Sequence, residues 1–437
     1  MRKDTKIRPG RAMVVSMFAV LMLFSIVDFA AAQQPENTEN QFSSTRSGAI
    51  CDDYAQLMAG MPDSQSALAP FESRPAWVEY SKFFHQSWMN LDKRLLLPER
   101  AWSERELGDA ASSKAVFYPF SGPDFANVNA FFPEARTYVL VALEPLGDIP
   151  RFGDMSGGQF ESYLQSMKNS LHDLLSMDYF VSAHMDAQIE QTKIKGVLPI
   201  LLLMLAQSNA KVLDVRYWTM GIDGQVHVLP VLGTTTREIP AIRSTKEGLE
   251  DVEGIRIIFH REGSDEQNTQ TLYYFYLNLN NQTFDYNRRF LYFLKSLGPF
   301  TTFMKSASYV MFDRKTSHAR QFMFDNSRYI VQEDSGIPLK YFDPSLWSLR
   351  FYGHYSKPIS TFKEAYQPDL ASIYRTDKNI KPLPFGFGYF YNPGKSNLIF
   401  AEKKSEKRKR DEEPYNNPDD KHFLYNNALF DRGDLGS

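Results

Sequence analysis

A single cysteine, Cys51, occurs in the 437 residues, so no intramolecular disulfide braces the fold and burial alone has to hold it. No local signature surrounds Cys51 that would make it a catalytic thiol. Its segment, "AICDDYAQLMAGM", reads as a small helix carrying an inert sulfur. Charge of one sign is also missing. Lys and Arg number 49 against 52 Asp and Glu, a net charge of −3, which gives no electrostatic case for nucleic acid. No apolar run is long enough to span a bilayer: Met13–Val27 falls short of the roughly 20 residues required. None of the eight histidines forms H-E-x-x-H or another tight zinc spacing, so no metal is implied. His172 and His184 fall on separate predicted helices, and His227 sits in a predicted strand facing away from Val226 and Val228. The strained G-x-S-x-G elbow is absent, and so is an internal repeat.

Aromatic residues, by contrast, are abundant: 34 Phe and 23 Tyr can bury a substantial core. The N-terminus has the three parts of a secretory signal. "MRKDTKIRPGRA" is basic, Met13–Val27 is apolar, and Ala30 and Ala32 offer a small-residue cleavage site after Ala32. The expectation is a signal peptide over 1–32 and an exported protein, periplasmic or extracellular, with an uncleaved membrane anchor as the alternative. Residues 33–48 are polar and read as a flexible leader. Residues 402–437 are dense in charge, with Lys407–Arg410 offset by Asp411, Glu412 and Glu413, and read as a solvated tail.

Between them, over 49–401, strand and helix patterns alternate. The expected fold class is α/β, a single body with a mixed sheet flanked by helices and a helical insertion over 156–208. A strand–helix–strand unit occupies residues 115–145: "KAVFYPF", "PDFANVNAFF" and "TYVLVALEP". Pro123 suits an early helix position. Ser156 and Gln159 have capping-box spacing ahead of an apolar stripe, Phe160, Tyr163, Leu164, Met167 and Leu171. "GVLPILLLMLAQ" reads as a buried helix. Asp223-Gly224 marks a hairpin turn, and "GIRIIFH" and "TLYYFYLNL" are further strands, the second with one core face and one wetter face. From Asn287 to Asn326 the pattern is helical.

Two stretches offer a site. In α/β sheets ligands sit beyond the carboxyl ends of parallel strands. If "KAVFYPF" and "TYVLVALEP" are parallel neighbours, Ser121, Gly122, Asp124 and Glu144 lie at such an edge. Glu144 falls about twenty residues beyond the loop, where dinucleotide folds bind a ribose. Yet the loop has one glycine instead of three, and Pro123 lacks an amide for an anion, so no cofactor is implied. The second stretch, "QEDSGIPLKYF", resembles another strand-end loop and adds Asp334 and Ser335. Asp124, Glu144, Glu333 and Asp334 would supply carboxylates if they met in space. A pair of well-made turns is the simpler account of both stretches.

The segments "FYPFSGPDFANVNAFFPEARTYVLVALEPLG" and "NSRYIVQEDSGIPLKYF" resemble those of an uncharacterised family of exported bacterial proteins, a domain of unknown function, over about Val78 to Phe400. The resemblance implies a bacterial source and an envelope or extracellular location, and supplies no catalytic residues. The expected function is binding of a small molecule or an envelope component. The alternatives are a hydrolase or transferase with its site at the 121–124 loop and Glu144, and a structural envelope protein.

Overall fold

Apolar runs such as Tyr138–Ala142 are buried on both faces, as parallel strands covered by helices on each side must be. The computed structural model describes residues 49–171, 194, 196–221, 225–231, 251–263, 268–390 and 392–404, all within the unit Arg46–Ser437. The expected signal peptide, the leader, His172, His184 and nearly all of the charged tail lie outside them.

Ten strands form one mixed sheet among the described residues: β1 (Ala115–Pro119), β2 (Thr137–Ala142), β3 (Ala210–Met220), β4 (Val226–Pro230), β5 (Val252–Arg261), β6 (Gln270–Tyr276), β7 (Phe300–Met304), β8 (Ser327–Gln332), β9 (Trp347–Gly353) and β10 (Asn397–Lys403). Their order is β4-β3-β5-β6-β2-β1-β7-β8-β10-β9. The central five, β6-β2-β1-β7-β8, run parallel, and antiparallel strands extend both flanks. From β1 the chain moves to β2 on one side and later places β7 on the other. The order therefore reverses between β1 and β7, a topological switch point.

One face carries α1 (Pro75–Leu91), α2 (Leu97–Glu106), α3 (Phe125–Phe131), α4 (Gly157–Ser170) and α5 (Leu198–Gln207), packed on Tyr118, Tyr138, Leu140 and Tyr274. The other carries α6 (Asn281–Tyr286), α7 (Arg288–Ser296) and α8 (Ser317–Asn326), packed on Phe117, Val139, Val141 and Phe275. A ninth helix, α9 (Pro368–Thr376), joins a small cluster with Tyr355 and Ile399. The α/β class and the strand–helix–strand unit are as the sequence predicts: β1 and β2 are parallel neighbours joined through α3. The capping box is present, with Ser156 and Gln159 exchanging bonds at 2.8 and 3.4 Å. α5 is buried from Leu198 to Ala206. No helix among the described residues is long and apolar enough to cross a membrane.

The structure differs in four places. Pro123 precedes α3, whose N-cap is Asp124. Tyr274 and Phe275 point to opposite faces of β6 and both are fully buried, because a parallel strand inside a two-sided layer has no wet face. The stretch from Asn287 to Asn326 is not helical throughout. It contains β7, whose five residues carry no alternation because all are buried. At the C-terminal end, β10 runs through Glu402 and Lys403, into the stretch whose charge suggested a tail. The Lys403 ammonium bonds the Phe324 carbonyl at 2.8 Å.

Cys51 is fully buried, and burial, reinforced by Asp214 and Asp52, pushes its thiol up to about 12. At pH 8 only roughly one part in ten thousand is then thiolate. Native protein should resist a thiol-specific reagent at pH 8 and react fully once unfolded; rapid labelling of folded protein would contradict this placement.

Candidate functional site

Beyond Pro119 the chain must leave the sheet, and it does so through strained backbone. Phe120 sits at φ 60° and Gly122 at 54°. Ser121 continues the ladder by donating its amide to the Val141 carbonyl at 3.1 Å, which hooks the loop over the end of β2. The Ser121 hydroxyl donates to the Gly122 carbonyl at 2.7 Å, so it is engaged with its own loop. Asp124 then caps α3, accepting from the Asn127 amide at 3.3 Å and the Asn127 side chain at 2.7 Å. Its other oxygen accepts from the Tyr118 hydroxyl at 3.0 Å and lies 3.6 Å from the Lys305 ammonium. The two side chains are 4% and 1% exposed. A buried pair of this kind is held by mutual need: losing one partner leaves a charge in a poor solvent, at a cost of about 3–5 kcal/mol.

Lys305 is the first residue after β7, on the far side of the switch point. The turn that follows places Ser306, Ser308 and Tyr309 in the left-handed region, at φ 56°, 51° and 54°. With Phe120, these make four of the five non-glycine residues at positive φ among the described residues. Each costs about 1–2 kcal/mol and persists only when its surroundings hold it. Here the surroundings are specific. The Ser306 amide donates to Glu333 at 3.0 Å, the Ala307 amide to the Ser335 hydroxyl oxygen at 2.8 Å, and the Ser308 amide to Tyr389 at 3.1 Å.

The third strand end belongs to β8. Gln332 fixes the turn by bonding both the amide and the carbonyl of Ile337, at 2.9 and 2.7 Å. Glu333 accepts from the Ser335 amide at 2.9 Å and from the Ser335 hydroxyl. Asp334 accepts from Tyr309 and from the Asn397 side chain, both at 2.6 Å. Gly388, at φ 69°, presses against Glu333: a Cβ there would stand 2.4 Å from the glutamate Cγ. The rings of Tyr309, Phe362 and Tyr389 pack together, Tyr309 and Tyr389 with nearly parallel planes at 6.2 Å between centroids.

Burial and the neighbouring Asp334 push Glu333 up to about 8, against the two bonds from Ser335 that favour its charged form. Asp334 is raised by burial, while Tyr309 and Asn397 pull it back. Two adjacent buried carboxyls cannot both ionise cheaply, so the pair titrates as a unit and retains a proton near neutrality. Burial, then Asp124, holds the Tyr118 phenol well above its ordinary value, and Glu99 and Glu333 add to the effect.

The two loops singled out in the sequence thus meet across an intermediary. Of the first loop, Asp124 reaches the turn after β7 through Lys305, and that turn binds Glu333, Asp334 and Ser335 from the other side. Glu144 lies at the same edge beyond β2, but it is held from β6, where the Tyr274 hydroxyl donates to its carbonyl at 2.8 Å. Asp124 leans toward β7 and Glu144 toward β6. All six expected residues are buried, at most 5% exposed for the five with polar side chains. Asp124 is also a cap and half of an ion pair, so it is not a side chain that can be deleted without loss of stability. Among the described residues, no group of three or more His, Cys, Asp or Glu is arranged to hold a metal. Sequence reasoning missed Lys305, Tyr309, Gly388 and Asn397. The available signal was the Ser306–Tyr309 turn beyond "FTTFM", which reads as a strand exit once β7 is recognised.

No family model matches the chain, and no curated protein or solved structure matches it either.

A carboxyl that binds its proton more tightly when folded contributes most stability below its unfolded pKa and loses it as pH rises to the folded value. For Glu333 that window runs from the ordinary 4.5 to about 8. The melting temperature of the wild type should fall across it. Glu333→Gln should melt lower overall but with a shallower fall, measured by circular dichroism; identical slopes would show that Glu333 ionises normally.

Proposed function

We propose that the chain is an exported bacterial protein that binds a small polar ligand, or a polar group of an envelope component, at the carboxyl edge over β1, β7 and β8. The observation that carries this reading is the convergence, on both sides of the switch point, of four left-handed non-glycine residues with the buried Asp124–Lys305 pair. Doubly wound sheets bind ligands at this position, and strained backbone beside ionisable groups is more often kept for function than for packing. A polar guest would take over bonds that Lys305, the Ser306–Ser308 amides and the Glu333–Asp334 pair now make within the network. Entry requires the ring group of Tyr309, Phe362 and Tyr389 to part. Ser308 is exposed and Tyr389 half-buried, so these rings form the thinnest cover over the acids.

A hydrolase or transferase is the second reading, favoured by Glu333. A carboxyl that holds a proton near neutrality beside an ionised partner is suited to general acid catalysis.

Thermal-shift screening against sugars, nucleosides, amino acids and short polyols should yield a compound that raises the melting temperature of wild type. That shift should vanish in Lys305→Met and in Glu333→Gln, each confirmed folded by circular dichroism. A shift retained in both variants would place the site elsewhere, and no hit would return the network to a structural role. For export, protein recovered from the cell envelope or medium should begin at Gln33; an intact Met1 would overturn secretion by cleavage.

A further inference from the structure

The edge of the sheet opposite the carboxylate network is open, unlike the network itself. Here β5 ends at Arg261 and β3 begins at Ala210, paired with it. Two chambers of about 670 and about 530 Å3 lie between this edge and α1, and both are lined by His85 and Gln207. His85 and Gln207 stand between them as a shared wall, so the chambers adjoin, and each is within the size range of ligand sites.

The two ends differ in chemistry. The smaller chamber presents Arg100 from α2 and Arg261 from β5. Arg261 is aimed by neutral oxygens: it donates to Asn129 and, at 2.8 Å, to the Pro133 carbonyl. Arg100 is steadied by Asp92. The larger chamber presents Asp52, Asp63 and Glu262, with Lys82 and Lys211 at its wall. Asp52 accepts the Val212 amide at 2.8 Å and Asp63 the Gln65 amide at 2.9 Å, so both carboxylates are fixed in direction. Burial raises Asp52 above its ordinary value. Gln207 lines both chambers; Gln56 and Met61 line the acidic one, and Asn129, Trp88 and Met89 the other.

Two guanidiniums against one carboxylate, Asp92, at one end, and three carboxylates against two lysines at the other, leave opposite charges in excess at the two ends and complement a short zwitterionic chain. We infer that this cleft binds a short peptide in extended form, its terminal carboxylate between Arg100 and Arg261 and its ammonium toward Asp52 and Asp63. Paired guanidiniums suit a carboxylate because their forks match its two oxygens. The amide side chains offer the peptide backbone both a donor and an acceptor at each step. The site is separate from the carboxyl-edge network and does not depend on it.

The test is calorimetric titration of the full chain with tri- and tetrapeptides of Ala containing one Leu, each as the free peptide, the C-terminal amide and the N-acetyl form. Free peptides should bind, and amidation should weaken binding by about tenfold or more. Arg100→Gln, at a side chain 37% exposed and therefore compatible with folding, should weaken the free peptide equally. It should not weaken the amide further, because both changes remove one contact. Asp63→Asn should behave in the same way toward the N-acetyl form, and Lys363→Gln, at an exposed side chain that lines neither chamber, should leave all affinities unchanged. Failure of every free peptide to bind at about 1 mM overturns the inference. So does an Arg100→Gln effect that is the same for free and amidated peptides.

Discussion

An ammonium and a carboxylate buried together at the ends of two neighbouring strands impose a severe constraint on everything near them. Each would be intolerable without the other in a medium that solvates charge poorly. Lys305 and Asp124 satisfy that condition only because β1 and β7 are parallel and adjacent. That adjacency exists only because the chain returns to the opposite side of β1 after building β2 and β6. The left-handed turn after β7, the Glu333 carboxyl that closes it and the Asp124 cap that starts α3 all follow from the same juxtaposition. Moving any one strand end by a residue would reverse which face its side chains meet and separate the pair.

The sheet therefore has two unlike edges. At the carboxyl edge the polar groups bond one another and are roofed by aromatic rings. At the opposite edge, comparable numbers of charged groups line a cleft that remains open. The difference arises from the connections. The short loops after β1, β7 and β8 fold back on one another, whereas the start of β3 and the end of β5 border the two chambers beside α1. A fold can thus keep one end rigid and closed while leaving concave space at the other.

Local signals in the sequence carried a good part of this architecture. The strand–helix–strand unit was legible because its turn, its cap and its apolar runs are contiguous. The helix after Ser156 was legible from two residues three positions apart. The fully buried α5 announced itself by having no polar face. What was illegible was non-local. "FTTFM" has neither alternation nor helical spacing, and it becomes a strand only by fitting between β1 and β8. Lys305 reads as an ordinary surface lysine until Asp124, far away in the chain, is brought beside it. The acids of "QEDSGIP" were visible as a loop, but their partners Ser306, Tyr309 and Asn397 come from two other elements. Burial of the whole group was hidden for the same reason, since the rings that cover it are contributed by segments remote from both loops.

Gly388 and Asn397 lie close to the end of the described chain, yet both bear on the acids that follow β8. Polypeptides emerge from the ribosome amino end first. Until β10 has been made and has slotted between β8 and β9, Asp334 lacks Asn397 and Glu333 lacks the flat surface that only glycine offers. During synthesis the carboxyls stay hydrated and the turn after β7 has nothing to hold it. Closure of this edge therefore waits on β10, wherever the chain folds, and cannot precede its insertion between β8 and β9.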